Sequence, residues 1–244
     1  MTQDPEHSVS AAPHSTPPEA PDAAKPIRSF IRRQGRITVA QARALETLWP
    51  QFGLNEEEPF DARTAFGRDA PLVLEIGFGN GDSLAEMAAA DPDSNFIGIE
   101  VHRPGVGHLL LKLGDREIGN VRIFCADAME ILARHIPDSS LDRLQLYFPD
   151  PWPKTRHHKR RIVNPEFLEL ISGKLKPGGL FHAATDWEDY ALHMLEALGT
   201  APGLVNTMPG SEFAPRPDYR PLTKFESRGK RLGHGVWDLI YRRV

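Results

Sequence analysis

The stretch YFPDPWPKTRHHKRR, residues 147–161, sets a carboxylate, Asp150, between two prolines with aromatics on either side. It then adds Lys154, Arg156, Lys159, Arg160 and Arg161 within eight residues. Pro149 and Pro151 each hold φ near about −65° and remove a backbone donor, so the acid sits on a stiff loop. Phe148 and Trp152 offer flat faces to a nucleobase or a cationic methyl group. A single-signed basic run of this density, with His157 and His158 inside it, suits a polyanion better than a solvated face. The adjacent histidines lack metal-ligand spacing, and no metal is expected.

A second constellation lies upstream. In LEIGFGNGDSL, Gly77, Gly79 and Gly81 follow an apolar run and precede a helical one. Glycines there let the backbone turn sharply and approach a ligand, with a helix N-terminus beyond. The spacing is G-x-G-x-G, with Asp82 where a dinucleotide fingerprint has its last glycine, and Glu75 and Asp82 add negative charge. A pyrophosphate is disfavoured; a sulfonium cofactor with an amino-acid tail, S-adenosylmethionine, fits and NAD does not. Glu100 ends the next apolar run, at the position that meets ribose hydroxyls in such folds. Asp127, in FCADAME, is placed to accept from an adenine amino group. A lone acid after a strand is more often a helix cap; the glycine loop with both acids is the joint signal.

The elements that must hold these residues alternate. Strands are expected at 72–76, 95–99, 121–125, 142–148 and 179–185, and helices near 82–90, 104–115, 127–135, 165–174 and 187–198. Short apolar strands separated by helices imply an α/β fold with a parallel sheet covered on both faces. GHGVWDLIYRRV reads as a closing strand. Ahead of the alternation, TVAQARALETLWPQFGL has helical spacing at Ala42, Leu45, Leu48 and Trp49, with Thr38 as N-cap. Residues 1–26 are acidic and Pro-rich and read as a disordered tail, leaving 27–244 as one domain. Within it, 27–70 form a basic segment and helix, 71–200 a cofactor-binding core and 201–244 a substrate-binding part.

The net charge of −4 hides this distribution. The first 26 residues carry four acids against one lysine, whereas Arg216–Arg243 carry eight basic residues against three acids. Separated basic patches around one mouth fit a large polyanion. The one cysteine, Cys125, excludes an internal disulfide, and no apolar run reaches membrane-spanning length. Without a signal or transit pattern, the protein is expected to be soluble and cytoplasmic.

Six stretches carry a resemblance that spans residues 29–240: SFIRRQGRIT, LEIGFGNGDSL, GIEVHRPGVG, LYFPDPWPKTRHHKRRIV, HAATDWEDYALHML and RPLTKFESRGKRLGHGVWDL. They resemble the bacterial tRNA (guanine-N7-)-methyltransferases. The resemblance implies a Rossmann-like class I methyltransferase fold, a mostly parallel seven-stranded sheet with helices on both faces. It implies methyl transfer from S-adenosylmethionine to N7 of a guanine in the tRNA variable loop. Cofactor contacts are implied at Glu75, Glu100, Asp127 and Asp150, beside the glycines, with Asp150 the catalytic candidate. Substrate contacts are implied at Lys154, Asp186, Thr223, Lys224, Phe225 and Glu226, with Arg156, His157, His158, Lys159, Arg160 and Arg161 touching RNA. Guanine N7 already presents a lone pair, so Asp150 is expected to orient the base and stabilise a cationic purine rather than act as an obligatory base. Methylation of another RNA or of a base amino group, and non-catalytic RNA binding on the same fold, stay open. So do monomer and homodimer.

Overall fold

The computed structural model describes residues 29–30, 35–208, 210–222, 226 and 235–244. The expected acidic tail and Thr223, Lys224 and Phe225 lie outside them. Helices α1 (Val39–Thr47), α2 (Trp49–Phe52) and α3 (Ala62–Phe66) come first. Strand and helix then alternate through β1 (Leu72–Ile76), α4 (Asp82–Ala90), β2 (Asn95–Ile99), α5 (Arg103–Asp115), β3 (Val121–Phe124), α6 (Ala128–Arg134) and β4 (Leu141–Tyr147). The chain continues with α7 (Pro165–Lys174), β5 (Leu175–Thr185), α8 (Glu188–Gly199), β6 (Leu204–Asn206) and β7 (Trp237–Arg243). A 3-10 helix, Thr155–Arg160, stands between β4 and α7.

The seven strands form one sheet in the order β3-β2-β1-β4-β5-β7-β6. The first five are parallel, and β7 runs antiparallel between β5 and β6. Successive side chains of a strand point to opposite faces, and both faces are buried here. Leu72, Leu74 and Ile76 of β1 pack with residues of α6, α7 and α8, while Val73 packs on the other face with α1, α2, α4 and α5. The parallel sheet is the one the alternation implied, and the Rossmann-like seven-stranded arrangement is the one the resemblance implied.

Two expectations need correction. Strand β5 begins at Leu175 rather than 179, because Leu175 pairs with Leu141 across a register shift ahead of Gly178 and Gly179. Gly178 therefore lies inside the strand rather than ahead of it. In α1, Ala42 is exposed and Ala44 buried, with Leu45, Leu48 and Trp49 half-buried. The phase of α1 is set by α5, where a Cβ at Gly107 would stand 2.9 Å from the Gln41 Cβ. Thr38 does cap α1, in a capping box with Gln41.

Candidate active site

Strand β1 lies between β2 and β4, so the connections leaving it diverge and open a crevice at the carboxyl ends. The loop after β1 and the loop after β4 form its two lips. Gly77, Gly79 and Gly81 all have left-handed φ, at 71°, 59° and 72°. A Cβ at Gly77 or Gly79 would meet no atom within 4 Å, so both face open space. Behind the loop, a Cβ at Gly105 would lie 2.1 Å from the Gly79 carbonyl oxygen, so α5 abuts the loop through bare backbone.

The acids expected at this crevice are in different states. Glu100 accepts from the Gly79 N–H at 2.9 Å and from the Val101 and His102 N–H groups at 2.7 and 2.9 Å, tying the glycine loop to the end of β2. Asp127 accepts from the Met129 N–H at 3.0 Å and caps α6 while it lines the cleft. Glu75 is buried in β1 and does not line the cleft; among the described residues its Oε2 has no hydrogen-bond partner. Burial, and then the Glu100 carboxylate, push the Glu75 carboxyl up to about 8. Asp82 is the exception to the expected acidic surround, because it is ion-paired with Lys112 of α5. An orphaned carboxyl beneath open glycines fits a cationic ligand, and Glu100 and Asp127 fit its sugar and base.

Asp150 is exposed and lines the same cleft with Tyr147, Phe148 and Pro149. Phe148 and Trp152, either side of the Pro-Asp-Pro core, have φ of 51° and 46°. Left-handed bulky residues cost roughly 1–3 kcal/mol each, so this loop is held against local preference by its surroundings. The holding groups are identifiable. Trp152 is buried, and its indole N–H donates to the Ser29 carbonyl at 3.1 Å. The Arg160 guanidinium lies 4.0 Å over the Trp152 ring and donates to the Phe30 carbonyl at 3.1 Å. Ser29 and Phe30 in turn line the cleft. Trp152 is therefore not the open face expected for a nucleobase; it anchors the segment at 29–30.

The basic run divides. Lys154, Arg156 and Lys159 are exposed, His157 and His158 half-buried. Arg161, expected to touch RNA, is 3% exposed. Its Nε donates to the Pro151 carbonyl at 3.0 Å, its Nη2 pairs with Asp189, and its guanidinium lies 4.8 Å over Tyr190. Asp189 and Tyr190 belong to α8, so Arg161 fastens the Asp150 loop to that helix. The electrostatic face left for a polyanion is Lys154, Arg156 and Lys159.

Among the later candidates, Asp186 is exposed just past β5. Glu226 is buried, with both carboxylate oxygens accepting from Arg220, at 2.8 and 3.4 Å.

The family model described as "Putative methyltransferase" matches residues 69–239. A tRNA (guanine-N(7)-)-methyltransferase of Alcanivorax borkumensis is 56% identical over 231 residues, 94% of this chain and 97% of that protein. Those of Alkalilimnicola ehrlichii and Saccharophagus degradans are 58% and 60% identical, over 92% and 90% of this chain and 96% of each relative. The chain belongs to the tRNA (guanine-N(7)-)-methyltransferase family. Its fold is also that of the 16S rRNA methyltransferase KamB, at 18% identity and TM-score 0.57, over 76% of this chain and 94% of that one. A 16S rRNA adenine methyltransferase from Catenulisporales acidiphilia, solved with cosubstrate SAM, gives a TM-score of 0.52 at 16% identity over 78% and 92% of the two chains.

Sequence reasoning missed a buried polar group that this methyltransferase carries beneath the cleft. His182, fully buried in β5, contacts Asp238 through Nε2 at 2.7 Å and meets the hydroxyls of Tyr147 and Tyr219 at Nδ1, at 3.1 and 3.0 Å. Burial lowers the His182 pKa and raises Tyr147 well above the usual phenol range. A neutral imidazole beside two protonated phenols assigns the proton to Nε2, donating to Asp238, with Nδ1 accepting. Burial works to raise Asp238, but hydrogen bonds from His182 and Arg220 outweigh it and hold the carboxyl below the usual range. No spacing rule links these residues, and His182 sits in a run that reads as a plain core strand.

Proposed function

We propose that the protein transfers a methyl group from S-adenosylmethionine to N7 of a guanine in the variable loop of tRNA, forming 7-methylguanosine. The observation that carries this reading is the position of Asp150. It lines one cleft with Gly77, Glu100 and Asp127, and the exposed cations Lys154, Arg156 and Lys159 follow it directly. A cofactor site and a polyanion-binding face thus share a single loop. The 56–60% identity to tRNA (guanine-N(7)-)-methyltransferases supports the choice of base and of tRNA.

S-adenosylmethionine, when bound, supplies an electrophilic methyl group on a sulfonium centre. Gly77 and Gly79 would make room for it, Glu100 and Asp127 would hold its ribose and adenine, and the buried Glu75 carboxyl, ionised on binding, would balance its positive charge. Lys154, Arg156 and Lys159 bind RNA phosphates and deliver the guanine to the lip formed by Phe148 and Asp150. Asp186 stands at the neighbouring strand end, on the base-binding side. The purine becomes cationic as N7 is methylated, so the developing charge needs a fixed anion more than a base. Asp150 provides that anion on a loop that Arg161 and Trp152 hold still. Within the described residues no helix is long and apolar enough to cross a membrane. A tRNA substrate supports a cytoplasmic location for the enzyme.

The deciding experiment is methyl transfer from labelled S-adenosylmethionine to unmodified tRNA, followed by nucleoside identification. 7-Methylguanosine is expected, with RNA made cleavable by mild reduction and aniline. A methylated exocyclic amine, or binding without transfer, would overturn the reading.

A further inference from the structure

We infer that Gln145 is a positioning residue of the cofactor site, its side-chain amide held idle as the donor for the ionised Glu75 carboxyl. The inference rests on the reading above, in which a cationic cofactor occupies the cleft. Gln145 lies in β4 and is 0% exposed, yet neither its Oε1 nor its Nε2 has a hydrogen-bond partner among the described residues. It is in register with Glu75 of β1, whose Oε2 is also without one. Residues in register on neighbouring strands lie about 4.8 Å apart with their side chains on the same face. Two orphaned polar side chains therefore stand side by side in the sheet, just below the strand ends that open into the cleft. Rotation about their broad terminal torsions brings amide to carboxylate.

Among the described residues no other side chain is placed to serve Glu75. On its β2 side Glu75 is in register with Gly98, where Phe78 and Leu84 pack 2.7 Å from the position a Cβ would take. The Tyr147 hydroxyl meets His182 Nδ1 at 3.1 Å, and His182 Nε2 is on Asp238 at 2.7 Å. Arg143 has an unpartnered Nε but is in register with Val73. Its guanidinium lies 4.1 Å over the Tyr219 ring and does not act on Glu75. The charged group that does act on Glu75 is Glu100, an anion, so the carboxyl rests protonated in the ligand-free protein. Glu100 lines the cleft, so charge placed there is felt at Glu75 without contact. A cationic ligand therefore favours the carboxylate, and a buried carboxylate needs a donor. The Gln145 amide is the donor within reach. Without ligand, a buried polar group lacking a partner costs stability, and an apolar side chain of similar shape avoids that cost. A purely structural role would favour the apolar side chain; a binding role favours glutamine.

The test uses the full chain with Gln145→Met, Gln145→Leu, Glu75→Gln and the double Glu75→Gln/Gln145→Met. S-adenosylmethionine affinity is measured by calorimetry from mildly acidic to mildly alkaline pH, and stability by melting temperature without ligand. Two apolar replacements guard against one that packs badly. Gln145→Met is expected to weaken binding by about tenfold or more, with the melting temperature unchanged or raised. Added to Glu75→Gln, the same change is expected to weaken binding by less than about threefold, because the group it serves is gone. The pH at which affinity levels off, about 8 in wild type, is expected to move up in Gln145→Met, because the free carboxylate loses the same donor. Affinity within about threefold of wild type in both single Gln145 variants overturns the inference. So does an equal loss with and without Glu75, since Gln145 would then act on its own. A lower melting temperature in both apolar variants overturns it as well, because the amide would then have a partner in the ligand-free protein. A wild-type protein that binds no S-adenosylmethionine sinks the proposed function instead.

Discussion

Arg161 donates to the carbonyl oxygen of Pro151, the residue after Asp150, from a guanidinium anchored to Asp189 of α8. The last cation of the basic run is thus turned inward, against the loop that carries Asp150. Arg161→Met is expected to lower kcat by roughly tenfold to a hundredfold, because Asp150 loses its fixed position. The dependence of tRNA binding on salt should stay as in wild type. A reduced salt slope with unchanged kcat would return Arg161 to the RNA-contacting set.

Lys154, Arg156 and Lys159 make the opposite prediction. All three are exposed on or beside the 3-10 helix, where their ammonium and guanidinium groups can reach phosphates. Each phosphate neutralised adds roughly 0.7–0.9 to the slope of log affinity against log salt. Replacing all three with alanine should lower that slope by about 2 and raise KM for tRNA more than it lowers kcat. Titration of tRNA binding at several salt concentrations is the check; an unchanged slope removes the electrostatic role.

Glu75 links the cofactor site to pH. Its folded-state carboxyl is raised from 4.5 to about 8 by burial and by Glu100. Across that window the folded protein holds a proton that the unfolded chain has released, so stability falls as pH rises. Glu75→Gln should remove the slope, leaving stability near pH 4 unchanged and raising it by a few kcal/mol near pH 8 in the ligand-free protein. A cationic ligand ionises Glu75, so in wild type its affinity should rise with pH up to about 8 with release of up to one proton. Denaturant titrations at the two pH values, and calorimetry in buffers of different ionisation heat, read both effects.

Gly105 tests the seam between α5 and the glycine loop. A methyl group there would stand 2.1 Å from the Gly79 carbonyl, and backbone cannot yield as a side chain can. Gly105→Ala should cost about 1–3 kcal/mol and weaken cofactor binding by about tenfold or more. Gly119→Ala, where nothing lies within 4 Å of the added carbon, is the control. Equal cofactor affinity in the two variants would show that the loop does not depend on α5.

Local patterns were legible where the deciding contacts are local. The limits of β1, β2 and α7 follow from continuous apolar runs and a Pro at the helix start, and the crevice follows from strand order. Strand β6, three residues long and paired with β7 alone, has no periodicity to betray it. The fate of Trp152 and Arg161 was illegible for another reason. An aromatic or an arginine in a loop reads alike whether it faces in or out, and their partners, Ser29 and Asp189, lie 123 and 28 residues away. The Arg220 group was hidden in the same way, since its charges come from three stretches that meet only in the folded sheet.

Asp150 carries the chemical claim. It is exposed at the carboxyl end of β4, on a loop bracketed by left-handed Phe148 and Trp152, and it lines the cleft with the glycine loop. If its carboxylate stabilises a cationic purine, Asp150→Asn keeps the shape and loses the charge. The expected result is a fall in kcat of about a hundredfold or more, with tRNA and cofactor dissociation constants within about threefold of wild type. A fixed anion also predicts no rescue of the variant at raised pH, since no proton has to be taken from guanine N7. A variant that recovers turnover as pH rises would mean that proton removal limits the reaction, and the base role would stand in place of the electrostatic one.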